Sequence, residues 1–292
     1  MRFTVILFSF FFYHSVGFSA QQKNFLSLFK EQKPIIAAIM VEKDLSTDKK
    51  YQEALKWSLE QLKIAEQQKM DGILFEFRGG KIMEPPMDPK RFSKMVSLSQ
   101  ELVKAAKTVV VGVEILWHFP KDTLLLAKKS GASFVRIDFF SDEVIADKKK
   151  VPLNPKEIIQ YKNKIGAQDV YLLTDIQVKY SKMVDPKIPL SASAKKALSL
   201  GSDGVIVTST KSGSAPGPER PQSAKQGAKS SPVVIGSGFS YKNAESLLKY
   251  ADAAIVGTSI SVKTGGPLLP KKVEKLMNVV RDYRKQQKSV KK

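Results

Sequence analysis

Residues 232–261 read PVVIGSGFSYKNAESLLKYADAAIVGTSIS. Two apolar runs rich in β-branched side chains, PVVIGS (232–237) and AAIVGT (253–258), each end in glycine and a small hydroxyl residue, and a stretch with helical spacing joins them. Buried strand, glycine turn, helix and second buried strand make one unit of a parallel sheet. Working outward, the same unit recurs. Apolar runs at 34–41 (PIIAAIMV), 72–77 (GILFEF), 109–116 (VVVGVEIL), 133–140 (SFVRIDFF), 170–175 (VYLLTD) and 204–209 (GVIVTS) precede these two, which makes eight. Eight βα units in about 270 residues predict an α/β protein built as a single TIM (β/α)8 barrel. An open doubly wound sheet is the alternative; the first βα turn, VEKDLSTDKK, lacks the glycine fingerprint of a dinucleotide fold.

The text between the strands carries helix punctuation. Asp88-Pro89 and Asn154-Pro155 set a capping side chain before a proline at the first helical position, and Gly131 and Gly201 close helices. Leu55, Leu59 and Leu62 in the first helix, and Val273, Leu276, Met277 and Val280 in the last, keep one apolar stripe. The joints KMDGILF, GSDGVIV and YADAAIV repeat an acidic residue ahead of a strand, a sign of a repeated βα unit. Residues 209–231, STKSGSAPGPERPQSAKQGAKSS, contain no large apolar side chain, so they are expected to form a mobile loop over the barrel mouth, with the sixth helix short or absent.

The ends read differently. MRFTVILFSFFFYHSVGFSAQQ joins one basic residue, Arg2, to an apolar run and then small residues, the pattern of a secretory leader cleaved after Ser19 or Ala20. The expected organisation is a leader at 1–20, a lead-in at 21–33, the barrel at 34–287 and a basic tail at 288–292, in an exported protein. The chain has no cysteine, which excludes disulfides, thiolate metal sites and cysteine nucleophiles. A formal charge of +20 implies a solvated basic surface that can meet an anionic envelope surface. Nucleic acid is not an expected partner, since no basic run is interleaved with aromatics.

Chemistry in such a barrel belongs at the C-terminal ends of the strands. IGSGFS (235–240) and IVGTS (255–259) close the last two strands, the usual place for a phosphate. Gly236, Ser237, Gly238, Gly257, Thr258 and Ser259 are therefore candidates to grip a small anionic ligand through backbone N–H groups, with Ser240 placed to cap a helix behind them. Those glycines also suit ordinary tight turns. A ring of polar residues closes the earlier strands: Glu76, Glu114, Arg136, Asp138, Asp175 and Lys179. Carboxylates inside apolar strands must be paired, liganded or open to water. They could hold a divalent ion such as magnesium, act as acid and base, or form a salt-bridge layer. His118, beside Trp117 at the third strand end, is the one imidazole outside the leader and a weak catalytic candidate.

The blocks TDIQVKYS, GSDGVIVTS and residues 232–261, with FVRIDFF, VGVEIL and DGILFEF before them, resemble the BtpA/SgcQ family from about Ile35 to Val280. The resemblance implies a TIM barrel and a phosphate ligand; members are described as nucleosidases or phosphate-ligand enzymes, and the first-named one is associated with photosystem I biogenesis. Arg136, Asp175, Lys179 and both glycine motifs match the family pattern. Elsewhere the chain departs. MVEKDLS replaces a histidine and proline-rich loop, Phe77 follows Glu76 in place of asparagine, Glu114 and Asp138 stand for asparagines, and Tyr180 stands for a histidine. The threonine-glycine after the sixth strand is spread over 209–213.

Two functions follow from these residues. One is an enzyme or degenerate enzyme acting on a phosphorylated small molecule, with Asp175 and Lys179 as acid and base and Glu76 and Asp138 orienting substrate or metal. The other is a non-catalytic assembly or binding factor that uses the barrel as a scaffold.

Overall fold

The computed structural model describes residues 24–41, 44–78, 87–209 and 214–290. The expected leader, residues 1–20, lies outside the described residues. The barrel strands are β1 (Ile35–Val41), β2 (Gly72–Arg78), β3 (Val110–Leu116), β4 (Phe134–Ile137), β5 (Tyr171–Ile176), β6 (Gly204–Val207), β7 (Val233–Ile235) and β8 (Ala253–Val256). They close in the order β1-β8-β7-β6-β5-β4-β3-β2, every neighbour parallel. Helices α1 (Asp48–Gln67), α2 (Pro89–Ala105), α3 (Pro120–Ser130), α4 (Pro155–Lys164), α5 (Leu190–Ser199), α6 (Glu219–Ala228), α7 (Ala244–Leu248) and α8 (Pro270–Val290) return the chain outside it. This is a TIM barrel. Among the described residues no helix is long and apolar enough to cross a membrane.

The helix signals act as the residues suggest. Asp88 accepts the Arg91 N–H at 2.8 Å and Asn154 accepts the Glu157 N–H at 3.1 Å, each ahead of a proline. Gly131 ends α3 at φ 80°, a conformation a β-carbon disfavours.

Inside the barrel, one layer is wholly apolar: Ile36, Leu74, Phe134, Leu173, Ile206 and Val234. Residues expected to be a mere lead-in complete it. The 3₁₀ turn Phe25–Leu28 drives Phe25, fully buried, into the N-terminal opening, where its ring meets Phe29, Phe134 and Tyr171 edge to face. The glycine inside VVVGVEIL makes room for this layer: a β-carbon on Gly112 would stand 2.3 Å from the Phe134 ring.

Two expectations need correction. The sixth helix exists: α6 buries Pro221, Ala224 and Ala228. Its small residues allow close approach to α5, since a β-carbon on Gly227 would lie 1.9 Å from the Ser191 carbonyl oxygen. Over Glu219–Ala228 the lack of large apolar side chains marks tight helix contact, while residues 214–218 ahead of it are in neither helix nor strand. The run 133–140 is also not one strand. β4 stops at Ile137, and the chain then forms a separate antiparallel sheet from Val144–Ala146, Lys149–Lys150 and Lys182–Met183. Phe139, Val144, Ala146, Val151 and Val178 make its small core.

The repeated acidic joints have a shared role at the N-terminal face. Asp71 accepts the Ile35 N–H at 2.8 Å and a 2.6 Å bond from Arg284. Asp203 accepts the Leu172 N–H at 2.7 Å and a 3.2 Å bond from Lys162. Asp252 accepts the Val233 N–H at 3.0 Å and pairs with Lys225. Each carboxylate thus ties the start of the preceding strand to a helix cation. Burial pushes the Asp71 carboxyl above its usual range and Arg284 pulls it back.

Candidate active site

Side chains on a strand alternate, so two residues beyond each apolar floor residue another side chain points inward. Leu74 leads to Glu76, Gly112 to Glu114, Phe134 to Arg136 and then Asp138, and Leu173 to Asp175. The floor therefore carries a layer of buried charge. Arg136 sits at its centre, 3% exposed, donating from Nε to Asp175 Oδ1 and from its terminal nitrogen to Oδ2, both at 2.8 Å. Glu76, Glu114 and Asp138 approach the same guanidinium only to 3.7, 3.9 and 3.7 Å.

One cation cannot balance this set of carboxylates, and the excess is relieved by protons. Burial pushes Glu114 well above the usual carboxylate range, with Asp138 adding to it and Arg136 opposing. Burial pushes Asp138 up to about 7, against the pull of Arg136 and with the help of Asp175. Burial opposes the charge on Arg136 too, but Asp175, Glu114 and Asp138 outweigh it and hold the guanidinium well above its ordinary value. Both Glu114 oxygens and Asp138 Oδ2 have no hydrogen-bond partner among the described residues. These carboxylates converge on Arg136; among the described residues no group of three or more histidine or acidic side chains is arranged to hold a metal.

Above this layer lies a cavity of about 100 Å³ whose walls include Glu76, Arg136, Asp138, Lys179, Gly238 and Thr258. Gly236, Ser237 and Gly257 also line it. Lys179 makes no ion pair within 4.0 Å among the described residues, yet it lies near enough to lower the Asp138 pKa. Asp175 does not line the cavity; its carboxylate is fully engaged by Arg136. Of the two aspartates, Asp138 lines the cavity.

The loops after β7 and β8 are knitted by their own hydroxyls. Ser237 Oγ accepts the Ser209 N–H at 2.9 Å, Ser259 Oγ donates to the Phe239 carbonyl at 2.6 Å, and Thr258 Oγ1 lies 3.1 Å from Thr264 Oγ1. In the hydrogen-bond network of the described residues no acceptor takes the N–H of Ser237, Gly238, Thr258 or Ser259. Ser240 does not cap a helix. Asn243 Oδ1 accepts its N–H at 2.8 Å while Nδ2 donates to the Gly238 carbonyl at 3.0 Å, and α7 behind them has only five residues. The glycines are not equivalent. At Gly238, φ +67°, a β-carbon would stand 2.2 Å from the Ser214 and Ala215 backbone, so packing demands glycine; at Gly257 the nearest atom would be 3.5 Å away.

His118 is turned away from this cavity. Its Nε2 lies 2.9 Å from the Pro152 carbonyl oxygen, its ring meets Phe139 edge to face, and burial lowers its pKa. Trp117 and Tyr180 do line the cavity, although neither is charged at neutral pH and so neither stands out among the ionisable strand-end residues. Their positions immediately after β3 and in the loop after β5 were the available signal.

Comparison with known proteins agrees with this fold. A mitochondrial protein of Caenorhabditis elegans described as uncharacterized is 29% identical over 199 residues, 66% of this chain and 71% of that one. The photosystem I biogenesis protein BtpA of Synechocystis is 29% identical over 196 residues, 65% of this chain and 66% of that one. Among solved structures, phosphoribosyl anthranilate isomerase from Thermus thermophilus matches with a TM-score of 0.55 at 12% identity, over 84% of this chain and 98% of that one. A structure described as native KDPGal matches with a TM-score of 0.53 at 12% identity, over 86% and 95%. Likeness at that identity shows the fold alone. The BtpA family matches residues 31–282, and the chain belongs to that family.

Proposed function

We propose that the barrel mouth binds the phosphate, or a similarly anionic group, of a small molecule and that Asp138 and Lys179 transfer protons to and from it. The observation that carries this is the composition of one cavity: the glycine loops after β7 and β8 and the pair Asp138 and Lys179 are walls of the same space. N–H groups without an internal acceptor suit an anion. A carboxyl with a pKa of about 7 is present in both protonation states near neutral pH, as a general acid or base needs. Asp175 positions Arg136, and Glu76 orients the substrate. The name phosphoribosyl anthranilate isomerase denotes a phosphorylated substrate for a protein of the same fold.

The second reading, a non-catalytic assembly factor meeting an anionic envelope surface after export by residues 1–20, draws on the +20 charge and on the photosystem I biogenesis role in the Synechocystis relative's name. A thermal-shift screen separates the two, because a ligand that binds only the native state raises its melting temperature. Phosphate or a sugar phosphate, tested with and without magnesium, is expected to raise it, and Gly257→Asp to abolish the rise. Gly257 is the better site for the test than Gly238, since a β-carbon there makes only ordinary van der Waals contact with Ala38, 3.5 Å away, and meets no backbone clash. No rise with any phosphate in a folded sample sinks the anion site. A rise that persists in Asp138→Asn while turnover is lost supports the enzyme.

A further inference from the structure

Beside the mouth cavity lies a second one of about 160 Å³, walled by Phe139, Val178 and Asp147 and by four residues it shares with the first: Trp117, Asp138, Lys179 and Tyr180. The two spaces therefore meet at the acid/base pair and at two aromatic rings. Trp117 is 37% exposed and Tyr180 53% exposed, their centroids 6.2 Å apart and their planes at 84°. Two large rings at the mouth of a site offer faces on which a planar group can stack.

The loop that carries Tyr180 is held in an unusual conformation. Gln177 and Tyr180 are non-glycine residues at φ 45° and 63°, a region that bulky side chains rarely enter. Asp142 Oδ2 accepts the Gln177 N–H at 2.8 Å, and Gln177 Nε2 donates to the Ile188 carbonyl at 2.9 Å. Ser181 Oγ donates to the Val178 carbonyl at 2.7 Å. These bonds fix the backbone on both sides of the ring, so its place against Trp117 is built in.

We propose that the substrate is bipartite: a phosphate ester whose anionic group sits at the β7 and β8 loops and whose flat ring sits against Trp117 and Tyr180, with the bond to be worked on between Asp138 and Lys179. This rests on the anion site proposed above. The ring half follows from the size and lining of the second cavity. An apolar cavity of about 150 Å³ accommodates benzene, so this one takes one six-membered ring, stacked on an indole or phenol face. Asp147, also at its wall, carries a carboxylate able to accept a hydrogen bond from an N–H on that ring.

Calorimetric titration of the whole protein tests both halves. Phenyl phosphate and uridine 5′-monophosphate carry a ring without and with a ribose spacer; inorganic phosphate and ribose 5-phosphate carry none. At least one ring-bearing probe is expected to bind about tenfold more tightly than ribose 5-phosphate, the yield of one good stacking contact. Trp117→Ala is expected to bring that probe down to the ring-free level and Trp117→Phe to restore most of the gain. Melting temperatures of both variants check that the fold stands. Equal binding of ring-bearing and ring-free phosphates overturns the ring subsite and leaves the anion site intact; absence of binding by every phosphate overturns both.

Discussion

At the N-terminal end of the barrel, Asp71, Asp203 and Asp252 each accept a strand N–H and a bond from Arg284, Lys162 or Lys225, so every one of these carboxylates has both kinds of partner. At the C-terminal end, Glu76, Glu114 and Asp138 share a single guanidinium already engaged by Asp175, and three of their oxygens lack a hydrogen-bond partner among the described residues. One end uses charge to hold strands to helices. The other gathers more carboxylates than cations beside a cavity, and burial raises Glu114 and Asp138 above the usual carboxylate range. A TIM barrel separates its stabilising face from its reactive face in this way, and buried groups with raised pKa values are where proton transfer is to be sought.

The largest expected effect breaks the mouth layer at its centre. Arg136→Met removes the cation and leaves Asp175 buried beside three other acids, which is expected to cost about 3–5 kcal/mol in urea unfolding at neutral pH. A neutral result would mean that the layer is already fully protonated, and the contrast with the N-terminal face would fall. Next comes Asp203→Ala, which strands the Leu172 N–H and the buried Lys162 ammonium. Its expected cost is about 2–3 kcal/mol. The phosphate-induced thermal shift should survive it; loss of that shift would show that the two ends are coupled.

Asp138→Asn gives the most informative sign. The folded carboxyl titrates at about 7 against 3.8 for an unperturbed aspartate. Its proton is bound more tightly in the folded state, so its contribution to stability is complete below pH 4, declines as pH rises, and is lost once pH passes 7. Asparagine keeps the shape of the protonated acid without that loss. The variant is expected to melt higher than the parent at pH 8, by about 3 °C for each kcal/mol gained, with the difference vanishing toward pH 4. A difference that does not change with pH would remove Asp138 from the acid/base role.

The residues of the site were legible one at a time. Glu76, Glu114, Arg136, Asp138 and Asp175 stand out as charges in apolar strands, and period-two alternation puts them in the barrel interior. Their roles were not legible. Asp175 and Asp138 look alike in sequence, but Asp175 is paired 39 residues away with Arg136 while Asp138 borders two cavities. His118 drew notice as a lone imidazole, yet a carbonyl at Pro152 and the Phe139 ring turn it aside.

The sequence by itself determined the strand count, the parallel βα order, the caps at Asp88 and Asn154 and the glycine motifs at the last two strand ends, because periodicity and capping depend on neighbours within a few residues. Only the tertiary structure decided that Phe25 plugs the floor, that α6 packs on α5 through glycine, that a small sheet branches off after β4, and which carboxyl keeps its proton. Each of those outcomes depends on atoms brought together from distant parts of the chain, and burial and partner charge are properties of that assembly.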